Sequence, residues 1–155
     1  MVELYFLDTS AVVKRYVGEP GSEWVRRLMS TEPKVRRIVS RISWVEILSA
    51  LSRLHRENRL ETHIYRSSVQ ALYQHFRLEY QLTEVDITVL ELAGQLVQRH
   101  PLRAYDAVQL ASALRVLQAY SRARSMRFHF VSADVRLSEV ATLEGLRVIN
   151  PQNES

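Results

Sequence analysis

The sequence predicts one α/β domain, in which a mostly parallel sheet of four to five strands is covered by helices on both faces. Short apolar runs alternate along the chain with segments of helical periodicity, which is the pattern of parallel βαβ units. The length of 155 residues is near the commonest size for one domain. No repeat, low-complexity segment or linker divides the chain, so we expect a single domain over residues 1–151 and a disordered tail over residues 152–155.

The first half of the chain begins with the apolar run Leu4–Leu7, which is typical of a strand buried on both faces. Asp8 follows it as a candidate N-cap for a short helix over residues 11–16. The segment Gly18–Ser22 contains two glycines and a proline and ends that helix. The remaining elements of this half are predicted to be helix Glu23–Met29, strand Arg37–Ser40, helix Ser43–Arg59 and helix Glu61–Tyr80.

The second half of the chain opens with a predicted strand over Gln81–Val85. Asp86 is a candidate N-cap for helix Ile87–Arg99, and the His100-Pro101 break separates that helix from a central apolar helix over Arg103–Ala119. The last predicted elements are strand Arg127–Val131, helix Val135–Leu143 and strand Leu146–Ile149.

The composition excludes several classes of protein. The longest apolar runs are far shorter than the roughly 20 residues that cross a bilayer, and the first residues show neither a basic leader nor a cleavage site. The chain has no cysteine, which excludes disulfides and thiolate metal sites and fits a reducing cytoplasm. We therefore expect a cytoplasmic globular protein.

Four acidic residues occupy comparable positions in the predicted fold. Asp8 and Asp134 directly follow strands, whereas Glu46 and Asp106 lie in the first turn of helices. In a parallel sheet the carboxyl ends of all strands lie along one edge, and ligands bind there. The sequence therefore predicts that the four carboxylates meet at that edge.

Each acid taken alone also has a structural explanation. Asp8 and Asp134 could be helix N-caps, and Ser43 with Glu46 has the spacing of a capping box. Asp106 could complement the positive end of its helix dipole. These explanations account for single acids but not for the occurrence of all four at one edge.

A cluster of four carboxylates favours a bound cation. Two such charges about 4 Å apart repel by roughly 4 kcal/mol at an effective dielectric constant near 20, so the cluster holds either protons or cations. Oxygen ligands without cysteine select hard ions such as Mg²⁺ or Mn²⁺. These ions activate water for hydrolysis of phosphodiesters, which is the chemistry that the pattern predicts.

Four motifs around these acids resemble the PIN-domain ribonucleases, and in particular the VapC-type toxins of prokaryotic toxin–antitoxin pairs. They are Leu7–Ala11, Val45–Leu51, Tyr105–Ala111 and Phe130–Leu137. The segments Asp8–Lys14, Glu19–Ser22 and Glu144–Pro151 fit the same group. The resemblance covers nearly the whole chain, and the motifs occur in the same order.

The resemblance implies a three-layer α/β/α fold and a Mg²⁺- or Mn²⁺-dependent endoribonuclease that cleaves RNA. It also implies a homodimer and a small VapB-type antitoxin whose tail enters the active-site groove. By position, Asp8, Glu46, Asp106 and Asp134 would be the acidic, metal-holding residues, and Ser10 and Ser132 would shape the site. Many relatives carry an aromatic and a basic residue beside the last acid, whereas Ala133 and Val135 stand there in this chain. Asp134 would therefore hold a second metal or only shape the site.

The basic residues near the acids are candidate phosphate ligands, since the net charge of +4 becomes +8 if cations neutralise the four acids. They are Lys14, Arg15, Arg103 and Arg136. An ordinary charged surface is an equally simple interpretation of them.

Two other functions fit parts of the pattern. A non-catalytic RNA-binding or scaffolding PIN module is the main alternative, although it would be expected to have lost acids that this chain retains. A phosphotransfer domain with Asp8 as nucleophile is disfavoured, because Ser10 stands where a second aspartate is usual.

Overall fold

The computed structural model describes residues 1–30, 32–123 and 125–155. The strands in these residues are β1 Val2–Leu7, β2 Val35–Ser40, β3 Gln81–Thr83, β4 Met126–Val131 and β5 Val148–Ile149. The α-helices are α1 Thr9–Val12, α2 Ser22–Met29, α3 Ser43–Arg56, α4 Thr62–Leu78, α5 Ile87–Arg99, α6 Ala104–Tyr120 and α7 Val135–Leu143. Short 3-10 helices cover Val13–Arg15 and Pro151–Asn153.

The five strands form one parallel sheet in the order β3-β2-β1-β4-β5. The first strand lies at the centre, where Leu7 pairs with Val39 of β2 and with Val131 of β4. All the carboxyl ends therefore lie along one edge, which is the edge that the sequence predicts for the acids. The prediction of an α/β fold with a parallel sheet of four to five strands is confirmed.

Helices cover both faces of the sheet, so the fold has three layers. Alternate residues of β1 point to opposite faces: Leu4 and Phe6 pack with α5, α6 and α7, whereas Leu7 packs with α1 to α4. Two hydrophobic cores result, one on each side of the sheet, and both contain residues that are fully buried. This double burial explains why the strands are short and apolar in sequence.

Most predicted boundaries lie within a few residues of the observed ones, and α5 and α7 have the predicted bounds. The helix after Asp8 is shorter than expected, since α1 ends at Val12 and continues as a 3-10 helix. Among the described residues, no helix combines the length and the apolar character that crossing a membrane requires.

The end of the chain differs from the prediction. In place of a disordered tail from residue 152, Pro151–Asn153 form a 3-10 helix that packs against α2. Gly21 permits this approach, because it has a φ of +90° and a Cβ there would lie 2.8 Å from the carbonyl atoms of Pro151. Gln152 and Asn153 are therefore part of a short helix in the structure.

A cluster of charged residues lies near the amino ends of the two central strands. Glu3 of β1 accepts a hydrogen bond from His129 Nε2 of β4 at 2.7 Å and forms an ion pair with Arg127 at 3.2 Å. The imidazole of His129 stacks on the ring of Tyr5, with 4.7 Å between the ring centroids. The carboxylate in this cluster therefore has cationic and polar partners within the chain.

Candidate active site

Asp8 is held at the carboxyl end of β1 by three hydrogen bonds. It caps α1 as predicted, since Oδ1 accepts from the backbone nitrogen of Ala11 at 3.1 Å. Ser10 Oγ donates to the same oxygen at 2.7 Å, and Ser132 Oγ donates to Oδ2 at 2.8 Å. The carboxylate is only 3% exposed. Ser10 and Ser132, which the sequence predicts beside the acids, thus fix its orientation.

Burial raises the pKa of Asp8 to about 7. The hydrogen bonds from Ser10, Ser132 and Ala11 oppose this rise, because they stabilise the charged form. The negative charge of Asp106 adds to it. Asp8 is therefore a carboxyl group that titrates near neutral pH, and a bound positive charge would favour its ionised form.

The two serines also bring Asp134 to the same edge. Ser132 Oγ accepts from the backbone nitrogen of Asp134 at 3.1 Å, and Ser10 Oγ accepts from that of Ala133 at 2.9 Å. Asp134 caps α7, since its Oδ1 accepts from the backbone nitrogen of Leu137 at 2.9 Å. Its second oxygen receives no hydrogen bond within the described residues and remains available.

Glu46 is held in a different way from the capping box that its spacing with Ser43 suggests. The N-cap of α3 is Ile42, and no side chain caps this helix. Ser43 Oγ instead lies 2.9 Å from Thr9 Oγ1. Glu46 Oε1 accepts a hydrogen bond from Gln109 Nε2 at 3.2 Å. The capping-box interpretation is therefore wrong, because the hydroxyl of Ser43 serves a contact between distant parts of the chain.

Gln109 is the residue of this region that the sequence analysis did not single out. Its Nε2 lies within hydrogen-bond distance of Thr9 Oγ1, Ser43 Oγ and Glu46 Oε1. It is 2% exposed, and its Oε1 is buried without a hydrogen-bond partner in the described residues. A long polar side chain inside the apolar run Ala107–Ala113 is the signal that could have revealed it.

Asp106 connects the four acids electrostatically. It lies in the first turn of α6, as predicted, and its pKa is raised by burial and then by the charge of Asp134. Its own charge in turn raises the pKa of Asp8 and of Glu46. The four acids therefore form one electrostatically coupled group, in which Asp106 is linked to each of the other three.

Comparison with known proteins assigns this arrangement to a family. A family model of the PIN domain matches residues 5–143 of the chain, a range that contains all four acids. The chain is also 32% identical over 146 residues to Ribonuclease VapC46 of Mycobacterium tuberculosis, which covers 94% of this chain and 96% of that relative. The chain belongs to the VapC-type PIN-domain family. The resemblance seen in the four sequence motifs is thereby confirmed.

Further relatives of this PIN domain are also VapC proteins or VapBC complexes. Ribonuclease VapC45 of M. tuberculosis is 33% identical over 113 residues, which is 73% of this chain and 76% of that protein. The structure of VapBC-1 from nontypeable Haemophilus influenzae matches with a TM-score of 0.64 at 14% identity, over 97% of this chain and 99% of that chain. M. tuberculosis VapC20, described as a sarcin–ricin loop cleaving toxin, matches with a TM-score of 0.61 at 18% identity, over 92% and 95% of the two chains. These two structural matches show a common fold.

The acids of this PIN domain have the chemistry of a site for a hard cation. All four are carboxylates, and within the described residues none of them forms an ion pair with a basic side chain. The unpartnered Oε1 of Gln109 adds a further buried oxygen beside Glu46. In the described parts of the chain, no three Asp, Glu or His side chains stand in a ready-made ligand group. The donor set fits Mg²⁺ or Mn²⁺ in charge and hardness.

The four candidate phosphate ligands fall into two pairs. Lys14 is 2% exposed and lies 2.9 Å from Glu19, and Arg15 is bound to Glu79 at 2.8 Å and to Tyr80. Both would have to leave an existing partner to meet a phosphate. The second pair is exposed and close enough to Asp106 to lower its pKa, and it consists of Arg103 and Arg136. The second pair is therefore better placed for RNA.

Proposed function

We propose that this PIN domain is a divalent-metal-dependent endoribonuclease and the toxin of a type II toxin–antitoxin pair. The observation that carries the proposal is that four carboxylates at the carboxyl edge of the sheet are electrostatically coupled through Asp106, while no basic side chain in the described residues forms an ion pair with any of them. Carboxylates that repel one another are retained where a cation from solution binds them. The ribonuclease names of the relatives support the same activity.

The residues of the site have distinct roles in this proposal. Asp8, Glu46 and Asp106 would hold Mg²⁺ or Mn²⁺, and Asp134 would hold a second ion or shape the site. A bound divalent ion supplies an activated water and neutralises the leaving oxygen of a phosphodiester. Ser10 and Ser132 keep Asp8 in one orientation through their hydrogen bonds to its two oxygens. Such fixed orientation lowers the reorganisation that the reaction requires.

The exposed guanidinium groups of Arg103 and Arg136 would bind RNA phosphates near Asp106. Their positive charges lower the pKa of Asp106, which supports this role. Arginine suits this role because its planar fork can donate two parallel hydrogen bonds to one phosphate. Lys14 and Arg15 remain weaker candidates, since each is engaged with a carboxylate.

A small VapB-type antitoxin is the partner that fits this family, and we propose a homodimer for the free protein. Structural neighbours with TM-scores above 0.5 include VapBC-1 from H. influenzae and DNA-bound VapBC from Salmonella typhimurium. In the present chain the antitoxin would inhibit cleavage by covering the groove over the acids.

Cleavage of RNA by purified, antitoxin-free protein tests the function. With Mg²⁺ or Mn²⁺ we expect cleavage that EDTA abolishes and that Asp8→Asn or Asp106→Asn lowers by more than the roughly 10- to 100-fold typical of residues that only support metal ligands. Glu84→Gln is the matched control, because Glu84 lies near the same edge but is exposed and paired with Arg41. RNA that binds but is not cleaved under any of these conditions would favour the non-catalytic RNA-binding module.

A further inference from the structure

A cavity of about 340 Å³ opens beside Glu46, between one side of α3 and the start of α6. Its lining consists of Val45, Glu46, Ser49, Ala50, Arg53 and Tyr105. Glu46 belongs to both the cavity and the acidic site, and Tyr105 directly precedes Asp106. A group bound in this cavity would therefore adjoin whatever the acids bind.

The two sides of α3 differ in how much apolar surface they expose. Ile47 and Leu51 are fully buried and hold the helix on the core. On the other side Val45 is 55% exposed, and across the cavity the aromatic ring of Tyr105 is 58% exposed. Single exposed apolar side chains are common, but here an exposed ring, an aliphatic wall and a guanidinium group line one cavity.

Arg53 is the basic group of the cavity. In the part of the chain that the structure describes, it forms no ion pair and its side chain makes no hydrogen bond, whereas Arg15 and Arg41 are both paired with glutamates. Its five N–H donors are therefore available to a ligand. An arginine fork matches the O6 and N7 acceptors of guanine, which is the commonest base-specific contact of arginine in nucleic-acid complexes.

The size and position of the cavity favour one base of a single-stranded RNA. Its volume lies at the lower end of the range for small-molecule sites, about 300–1,000 Å³. Proteins that read single-stranded RNA stack unpaired bases on aromatic side chains and bind their edges with polar groups. Tyr105 supplies the ring, and Arg53 and Ser49 supply the polar groups.

We propose that this cavity binds the guanine base of a nucleotide next to the phosphate at the acidic site, with Tyr105 stacked on the base and Arg53 bound to its O6 and N7. The location next to the cleaved bond rests on the proposed nuclease function. The base preference itself does not, since it is a property of binding.

Binding of labelled oligonucleotides tests the proposal without cleavage. Each probe is a seven-nucleotide RNA with G, A, C or U at the central position and uridine at the other six. The protein used is the Asp8→Asn variant, and binding is measured in the presence of Mg²⁺. We expect the G probe to bind most tightly. Adding Tyr105→Ala should weaken its binding roughly 5- to 150-fold, the range for loss of one base–aromatic stack, whereas Tyr105→Phe should retain it.

A charge-conserving variant separates base recognition from attraction to phosphate. Arg53→Lys keeps the positive charge but loses the planar fork, so we expect the preference for G to disappear while the U probe binds as before. Arg66→Lys, on the exposed surface of α4, is the matched control and should retain the preference.

Three results would overturn the proposal. They are equal affinity for all four probes, undiminished affinity for the G probe in Tyr105→Ala, and a change from dimer to monomer in Tyr105→Ala that leaves base preference intact. The last result would assign this face to a second copy of the chain. A preference for G without any Mg²⁺-dependent cleavage by the wild-type protein would instead support the cavity and contradict the nuclease, so the two proposals fail separately.

Discussion

The central sheet carries a cluster of charges at each end, and the two clusters are arranged in opposite ways. At the amino ends of the strands, Glu3 is paired with His129 and Arg127. At the carboxyl ends, Asp8 accepts hydrogen bonds only from neutral hydroxyl and backbone groups, and its nearest charged influence is Asp106, another acid. The carboxylate of the first cluster is ion-paired, whereas within the described residues no acid of the second cluster forms an ion pair.

This difference distinguishes a charged side chain that stabilises the fold from charged side chains that are available to bind a ligand. A paired carboxylate favours the folded state, because its partner replaces the water that folding removes. A buried carboxylate without a cationic partner disfavours folding, and proteins retain such strain at functional sites. Substitutions at the two ends of the sheet should therefore have different effects on stability and on activity.

The largest expected effect is a dependence of stability on pH that originates at Asp8. Its pKa is about 7 in the folded protein and about 3.9 in an unfolded chain, so the folded state holds the proton more tightly. In EDTA the contribution of Asp8 to the free energy of unfolding should be greatest below about pH 4 and fall as the pH rises to about 7, by up to about 4 kcal/mol. Urea denaturation at several pH values measures this.

Asp8→Asn provides the comparison for that measurement. It removes the titrating group, so the decline between pH 4 and pH 7 should become shallower and the variant should be more stable than the wild type at pH 8. Equal slopes in the two proteins would show that Asp8 is not the source.

Replacing the amide of Gln109 should lower activity, but by less than the loss of a metal-holding carboxylate. Gln109→Met keeps the length of the side chain but removes the hydrogen bond to Glu46 Oε1. We expect RNA cleavage to fall roughly 10- to 100-fold, the range for groups that orient metal ligands. Initial rates with Mg²⁺ measure this, and Gln118→Met on the exposed side of the same helix is the control. Wild-type cleavage rates in Gln109→Met would show that Gln109 does not orient Glu46.

A substitution at the amino ends of the strands should lower stability and leave activity unchanged. Glu3→Gln removes the charge that binds His129 and Arg127, and loss of a hydrogen bond to a charged group costs about 1.5–3 kcal/mol. Chemical denaturation measures this loss, and RNA cleavage should equal that of the wild type. Glu139→Gln, an exposed residue of α7, should change neither quantity. Loss of cleavage in folded Glu3→Gln would contradict the division between the two clusters.

The smallest effect is expected for Glu84, an acid near the carboxyl edge of the sheet that is already paired with Arg41. Glu84 binds Arg41 at 2.7 Å, but both side chains are more than half exposed. Exposed ion pairs contribute about 0–1 kcal/mol, so Glu84→Gln should change thermal stability little and cleavage not at all. A loss of cleavage as large as that in Asp106→Asn would show that position at the edge alone decides function.

The sequence predicted the fold well where local chemistry and burial agree. Asp86 caps α5 through the backbone nitrogen of Val89, and Asp134 caps α7, so both helices begin where the cap pattern indicates. The apolar run before Asp8 is a central strand because it must be buried on both faces. The positions of the four acids at one edge follow from that topology.

The errors arise where distant residues override a local pattern. Ser43 looks like the start of a capping box, but its hydroxyl binds Thr9 and Gln109, which lie 34 and 66 positions away. Lys14 looks like a surface residue, but it is buried against Glu19. Neither contact leaves a periodic signal in the sequence, so only the folded structure reveals it.

The hydrogen bond between Ser132 and Asp8 joins residues 124 positions apart, and this separation has a consequence for synthesis. At translation rates of about 5–20 residues per second, Asp8 leaves the ribosome roughly 6–25 s before Ser132 does. During that interval Asp8 lacks the partner strand that buries and orients it. The acidic site is therefore completed only after Ser132 has been synthesised, and a chain that terminates before Ser132 contains all of β1 without a finished site.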